Sequence, residues 1–81
     1  MMFLIEYDRP TGCIVSFRTF NESERRKAEN ARLEIELELN RGGIGHEVVL
    51  LEAASEDALR RTHRRYFENL SEILKSANGN D

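Results

Sequence analysis

Apolar and polar positions follow two rhythms along this chain, and the changes between them mark its elements. Met2 to Tyr7 is a short aliphatic and aromatic run that stops at Asp8-Arg9-Pro10-Thr11-Gly12. The stop is turn chemistry: Pro10 presets φ and Gly12 can take a positive φ. Cys13, Val15 and Phe17 then alternate with Ser16 and Arg18 as far as Phe20, the period of a half-buried strand. The two runs predict a β-hairpin with a loop of about five residues.

A helix is predicted to begin at Asn21. Asn21 is a good N-cap, and Glu24 stands three residues on, in a capping-box position. Gly42-Gly43 supplies a left-handed stop. Leu33-Glu34-Ile35-Glu36-Leu37-Glu38-Leu39 alternates strictly inside this stretch, which is a strand pattern. Helix is the better reading, because Leu and Glu are strong helix formers and both caps are in place. Ala28, Ala31, Ile35 and Leu39 then form one stripe. Leu33 and Leu37 lie roughly 140–180° away, at 100° per residue.

Glu47 to Ala53 reads as a third strand whose Val48-Val49-Leu50-Leu51 leaves neither face polar. Ser55 caps a last helix expected to run to Lys75, with Glu56 and Asp57 in its first turn. Leu59, Thr62, His63, Tyr66, Phe67, Leu70, Ile73, Leu74 and Ala77 fall on one side of it. Such an apolar stripe must dock on something. The order is ββαβα, an α+β fold. A three-stranded sheet in the order 2-1-3 is favoured, with the more apolar hairpin arm in the middle and a right-handed crossover through the first helix. Both helices are expected on one face. Residues 1–75 form a single domain and 76–81 a flexible tail.

With both helices on one face, the sheet's other face exposes apolar residues of the third strand. Leu33, Leu37, Val49 and Leu51 are therefore the candidate partner interface. Length strengthens the point. A chain of 81 residues buries only about 60 % of its unfolded surface, and small domains often compensate with disulfides, metals or oligomerisation. Cys13 is the only cysteine, and no Cys/His spacing fits zinc. Oligomerisation is the compensation left, so a homodimer or a protein partner is expected.

Charge separates the remaining possibilities. The net charge is −3, with eight acidic and six basic residues in 1–40 and seven and six in 41–81. Neither half is a basic nucleic-acid arm. The longest apolar runs are far too short to span a bilayer, so no membrane association is expected. The opening residues lack a secretory pattern. That and the lone thiol make the cytoplasm the expected location.

Several residues invite a chemical reading. His63, with Tyr66 three residues on, could line a ligand or catalytic pocket. A structural histidine is the plainer account, since no acid or thiol stands at a defined spacing from it. Arg60, Arg61, Arg64 and Arg65 could contact anions or nucleic acid. Glu56, Asp57, Glu68 and Glu72 stand at helical spacing to them, as in a solvated ion-pair face. No aromatic residue interleaves on that face as a base-stacking platform. Arg25-Arg26-Lys27 sits among Glu22, Glu24 and Glu29 and reads as surface. Gly42-Gly43-Ile44-Gly45-His46 runs from helix to strand, the reverse of a phosphate loop. His46 and Glu47 alone do not define a metal site. Cys13 has no signalled base. No catalytic residue, metal or cofactor is assigned. The reading is a non-enzymatic module that self-associates or binds a protein partner, because the expected fold leaves apolar surface that the monomer does not cover.

Overall fold

β1 (Met2–Asp8) lies at the centre because it is apolar on both faces. The chain is described here from a computed structural model, over residues 1–67. β2 (Cys13–Phe20) and β3 (Glu47–Glu52) both pair antiparallel with β1, in the order β2-β1-β3. Phe3, Leu4 and Ile5 have no solvent exposure. The hairpin closes with Gly12 at φ 69°, its N–H donating to the Asp8 carbonyl at 2.8 Å. A bulge at Val15 shifts the register between Glu6 and Tyr7.

The alternating 33–39 segment is helical, within α1 (Arg25–Gly42). A 3-10 turn at Glu22–Glu24 precedes it, and the Asn21 N–H donates to Glu24 Oε1 at 3.1 Å. Gly43 ends it at φ 66°, while the Ile44 N–H reaches back to the Leu39 carbonyl at 2.9 Å. Gly-capped closure of this kind outweighs the strand-like alternation, since Leu and Glu cost a helix little.

The sheet order is as expected, but the two helices do not share a face. Met2, Leu4 and Phe20 pack with Ala28 and Ala31 of α1. Phe3, Ile5 and Tyr7 pack on the other side with Leu59 of α2 (Glu56–Thr62) and with Tyr66. The reason lies in β1: a central strand apolar at consecutive positions needs cover on both sides.

α2 is also much shorter than expected. It starts as predicted, with Ser55 Oγ accepting from the Ala58 N–H at 3.1 Å. It stops at His63, whose φ −127° and ψ 51° are not helical, and a 3-10 turn follows at Arg64–Tyr66. Tertiary contact compensates the break. Tyr7 Oη donates to the Arg65 carbonyl at 3.1 Å, and the Tyr7 and Tyr66 rings meet edge to face at 5.1 Å. The rest of the expected helix, with Glu68, Leu70, Glu72, Ile73, Leu74 and Lys75, and the expected tail 76–81, lie outside the described residues.

Candidate functional site

The four residues expected at a partner interface occupy two separate places. Leu33 and Leu37 are 53 % and 49 % exposed on the outer face of α1. Val49 and Leu51 are half-buried on the sheet face that packs against α2, in the same cluster as Phe17 and Phe67. The open sheet face expected from the sequence is therefore covered in part, because α2 crosses to that side.

What stays open is an edge. Among the described residues β3 has β1 on one side and no strand on the other. Val48, Val49, Leu50 and Leu51 are all half-buried. Val48 and Leu50 reach the α1 cluster, while Val49 and Leu51 reach the α2 cluster. The Ala53 N–H donates to the Met1 carbonyl at 3.0 Å, one step beyond the Met2–Glu52 pair. In an antiparallel ladder bonding alternates by residue. Odd-numbered residues of β3 thus bond inward, and Val48, Leu50 and Glu52 direct their N–H and C=O groups outward. β2, the other edge, is interrupted by the Val15 bulge and carries exposed Arg18 and Thr19. Bulges and charges are the usual protection of an edge, and β3 has neither between Val48 and Leu51.

Arg60 and Arg65 are engaged in ion pairs. Arg60 donates from Nη2 to Glu56 Oε2 at 2.8 Å, the predicted helical pair. Arg65 was expected to pair within its helix; instead its Nη2 lies 2.8 Å from Glu47 Oε2 of β3. The break at His63 also brings aromatic rings to these cations. The Arg60 guanidinium lies 4.5 Å from the Phe67 ring centroid, and that of Arg65 lies 4.2 Å from the Tyr66 centroid. The reading that no aromatic shares this face fails for that reason. Arg61 and Arg64 are exposed.

His63 and Tyr66 do not form a shared pocket. His63 is half-buried, with Nδ1 2.9 Å from the Thr62 hydroxyl. Tyr66 is buried and points its hydroxyl at Glu47. A shallow cavity of about 300 Å³ beside Tyr66 is lined by Gly12, Cys13, Ile14, Arg60 and Phe67, without His63.

Two polar clasps at the hairpin end of β1 went unread in the sequence. Tyr66 Oη donates to Glu47 Oε2 at 2.6 Å, and Arg9 Nε approaches Glu47 Oε1 at 3.2 Å. The Tyr66 hydrogen bond first, and then Arg65, hold the Glu47 carboxyl below its ordinary pKa despite partial desolvation. Burial, reinforced by Glu47, raises the Tyr66 phenol. On the α1 side, His46 Nδ1 and Glu6 Oε2 share a 2.6 Å hydrogen bond, both side chains mostly shielded. His46 and Glu47 thus serve opposite faces of the sheet. No group of three or more His, Cys, Asp or Glu residues among the described residues is placed to hold a metal ion. The available signal was Glu6, a lone acid inside an apolar strand.

No helix among the described residues is long and apolar enough to cross a membrane. Comparison with known proteins returns no matching family model, curated protein or solved structure.

Proposed function

We propose that this chain is a non-enzymatic interaction module that associates with a second copy of itself through the free edge of β3. One observation carries the reading: among the described residues β3 is an edge strand without a bulge, with four consecutive half-buried aliphatic residues and outward-facing backbone groups at Val48, Leu50 and Glu52. Such an edge templates pairing unless something covers it. Pairing also completes the burial of Val48 to Leu51, which a small chain on its own leaves half-finished. The exposed Leu33 and Leu37 add apolar surface on the α1 side. The free thiol of Cys13 suits a reducing compartment such as the cytoplasm. Polyanion binding through the arginines has less support, since Glu56 and Glu47 hold Arg60 and Arg65.

Light scattering across a concentration series tests the reading. The expected mass is twice that of one chain. Val48→Pro removes an outward-facing donor at an edge position, where proline is tolerated. It should shift the population to monomer with an unchanged circular dichroism spectrum. A wild-type chain that stays monomeric at high micromolar concentration would sink the proposal.

A further inference from the structure

We infer that the second copy docks antiparallel across β3 on a two-fold axis that also sets α1 against its counterpart, with the row Arg25, Glu29, Arg32, Glu36 as the matching element. This rests on self-association through β3 and specifies its geometry.

The row is located by one contact. Arg25 Nη2 lies 3.0 Å from Glu52 Oε2, so the start of α1 sits beside the end of β3, and that flank of the helix faces the β3 side. Positions 29, 32 and 36 follow at i+4, i+7 and i+11. At 100° per residue the four fall within about 60° of arc. All four are exposed, and their signs alternate. The opposite flank is identified independently, because Glu34, Glu38 and Arg41 line a groove with Arg18 of β2.

A two-fold interface must be complementary to itself: if one residue meets a second, the second meets the first. An antiparallel meeting of this row satisfies the condition. Arg25 of one copy faces Glu36 of the other, and Glu29 faces Arg32. Two lengths then have to agree. Leu50, where the two strands meet the axis, lies about 7 Å from Glu52 at ~3.3 Å per residue. The middle of the row lies about 8 Å from Arg25 at ~1.5 Å per residue. One axis therefore serves both elements. The spacing agrees as well. α1 lies over β3 and β1. A helix midway over β3 and β1, with strands ~4.8 Å apart, stands about 5 Å from a two-fold axis at the β3 edge, so the two α1 helices lie about 10 Å apart, which is a packing distance.

The strand register follows from the pleat. Residues opposite one another must point to the same face, so Leu50 can face Leu50 while Val49 faces Leu51.

The test uses two single variants of the full chain, both at exposed helix positions. Arg32→Glu sets like charges against Glu29 of the other copy, and Glu29→Arg does the same with the opposite sign. Sedimentation and native mass spectrometry at low salt should show each variant dimerising roughly ten-fold more weakly than wild type. An equimolar mixture of the two should recover wild-type affinity as a mixed dimer, because both cross-axis pairs are restored. If the wild type dimerises and neither variant weakens it, or if the mixture shows no preference for the mixed dimer, the geometry is wrong and self-association stands. A monomeric wild type removes both.

Discussion

The Tyr66 hydroxyl donates to Glu47 Oε2 at 2.6 Å, tying the turn after α2 to the first residue of β3. Arg65 and Arg9 close on the same carboxylate. The contact anchors α2 to the sheet face opposite α1, and it joins two ionisable groups whose pKa values move in opposite directions.

Tyr66→Phe keeps the ring against Tyr7 and removes only the hydroxyl. A hydrogen bond to a charged group contributes about 1.5–3 kcal/mol. The partial exposure of Glu47 and its remaining arginine partners put the expected loss at the lower end, about 1.5 kcal/mol. Urea unfolding at neutral pH measures it, and an unchanged midpoint would show the clasp to be idle.

The pH dependence has two limbs. Glu47 is held below its ordinary pKa by Tyr66 and then by Arg65. Its contribution is present above the unfolded carboxylate value and is lost as pH falls through the folded one. That loss is expected below about pH 4. Tyr66 is raised by burial and by Glu47. Its contribution is complete below the unfolded phenol value and is lost as pH rises above about 10. Stability curves for Tyr66→Phe should be flatter than wild type on both limbs. Curves parallel to wild type would contradict the assignment.

His46→Ala removes the partner of Glu6 on the α1 face. A mostly shielded carboxylate left without its hydrogen bond should cost about 1–3 kcal/mol. The double variant with Glu6→Gln should lose less than the sum of the two single losses, as the two groups touch. Additive losses in that thermodynamic cycle would mean the 2.6 Å contact contributes nothing.

Leu59→Ala and Leu37→Ser separate core from surface. Leu59 has no exposure, and its truncation should cost about 2–5 kcal/mol. Leu37 is half exposed, and Leu37→Ser should change monomer stability by no more than about 0.5 kcal/mol. Thermal melts compare them. A small loss at Leu59 would mean α2 is not docked on the sheet.

Short RNA and DNA should bind weakly, with no saturation below roughly 10 μM at moderate salt. Fluorescence titration reads this. Tight, sequence-selective binding lost in Arg60→Glu with Arg64→Glu would favour the arginine face over the β3 edge as the working surface.

The local elements were legible because their signals are local. Pro10 and Gly12 mark the hairpin turn, Asn21 and Glu24 the entry to the first helix, Gly43 its exit, and Ser55 the next entry. Each acts within a few residues through φ preference or a capping hydrogen bond. The sheet order was legible too, since β1 has the most continuous apolar run and a central strand needs cover on both faces. The same run did not reveal which face each helix takes, and both were expected on one.

Only the tertiary structure decided where α2 ends and what its arginines and tyrosine meet. Helical periodicity continues unbroken through His63, yet the helix stops there. Tyr7 takes the Arg65 carbonyl and Glu47 takes the Tyr66 hydroxyl, across separations of 58 and 19 residues. Contacts at such distances leave no spacing to read along the chain, because strand pairing and the two faces of the sheet create them. By itself the sequence determined the elements, their caps and the central strand. Packing decided which face each helix covers, since that depends on apolar surface from distant segments competing for the same cover.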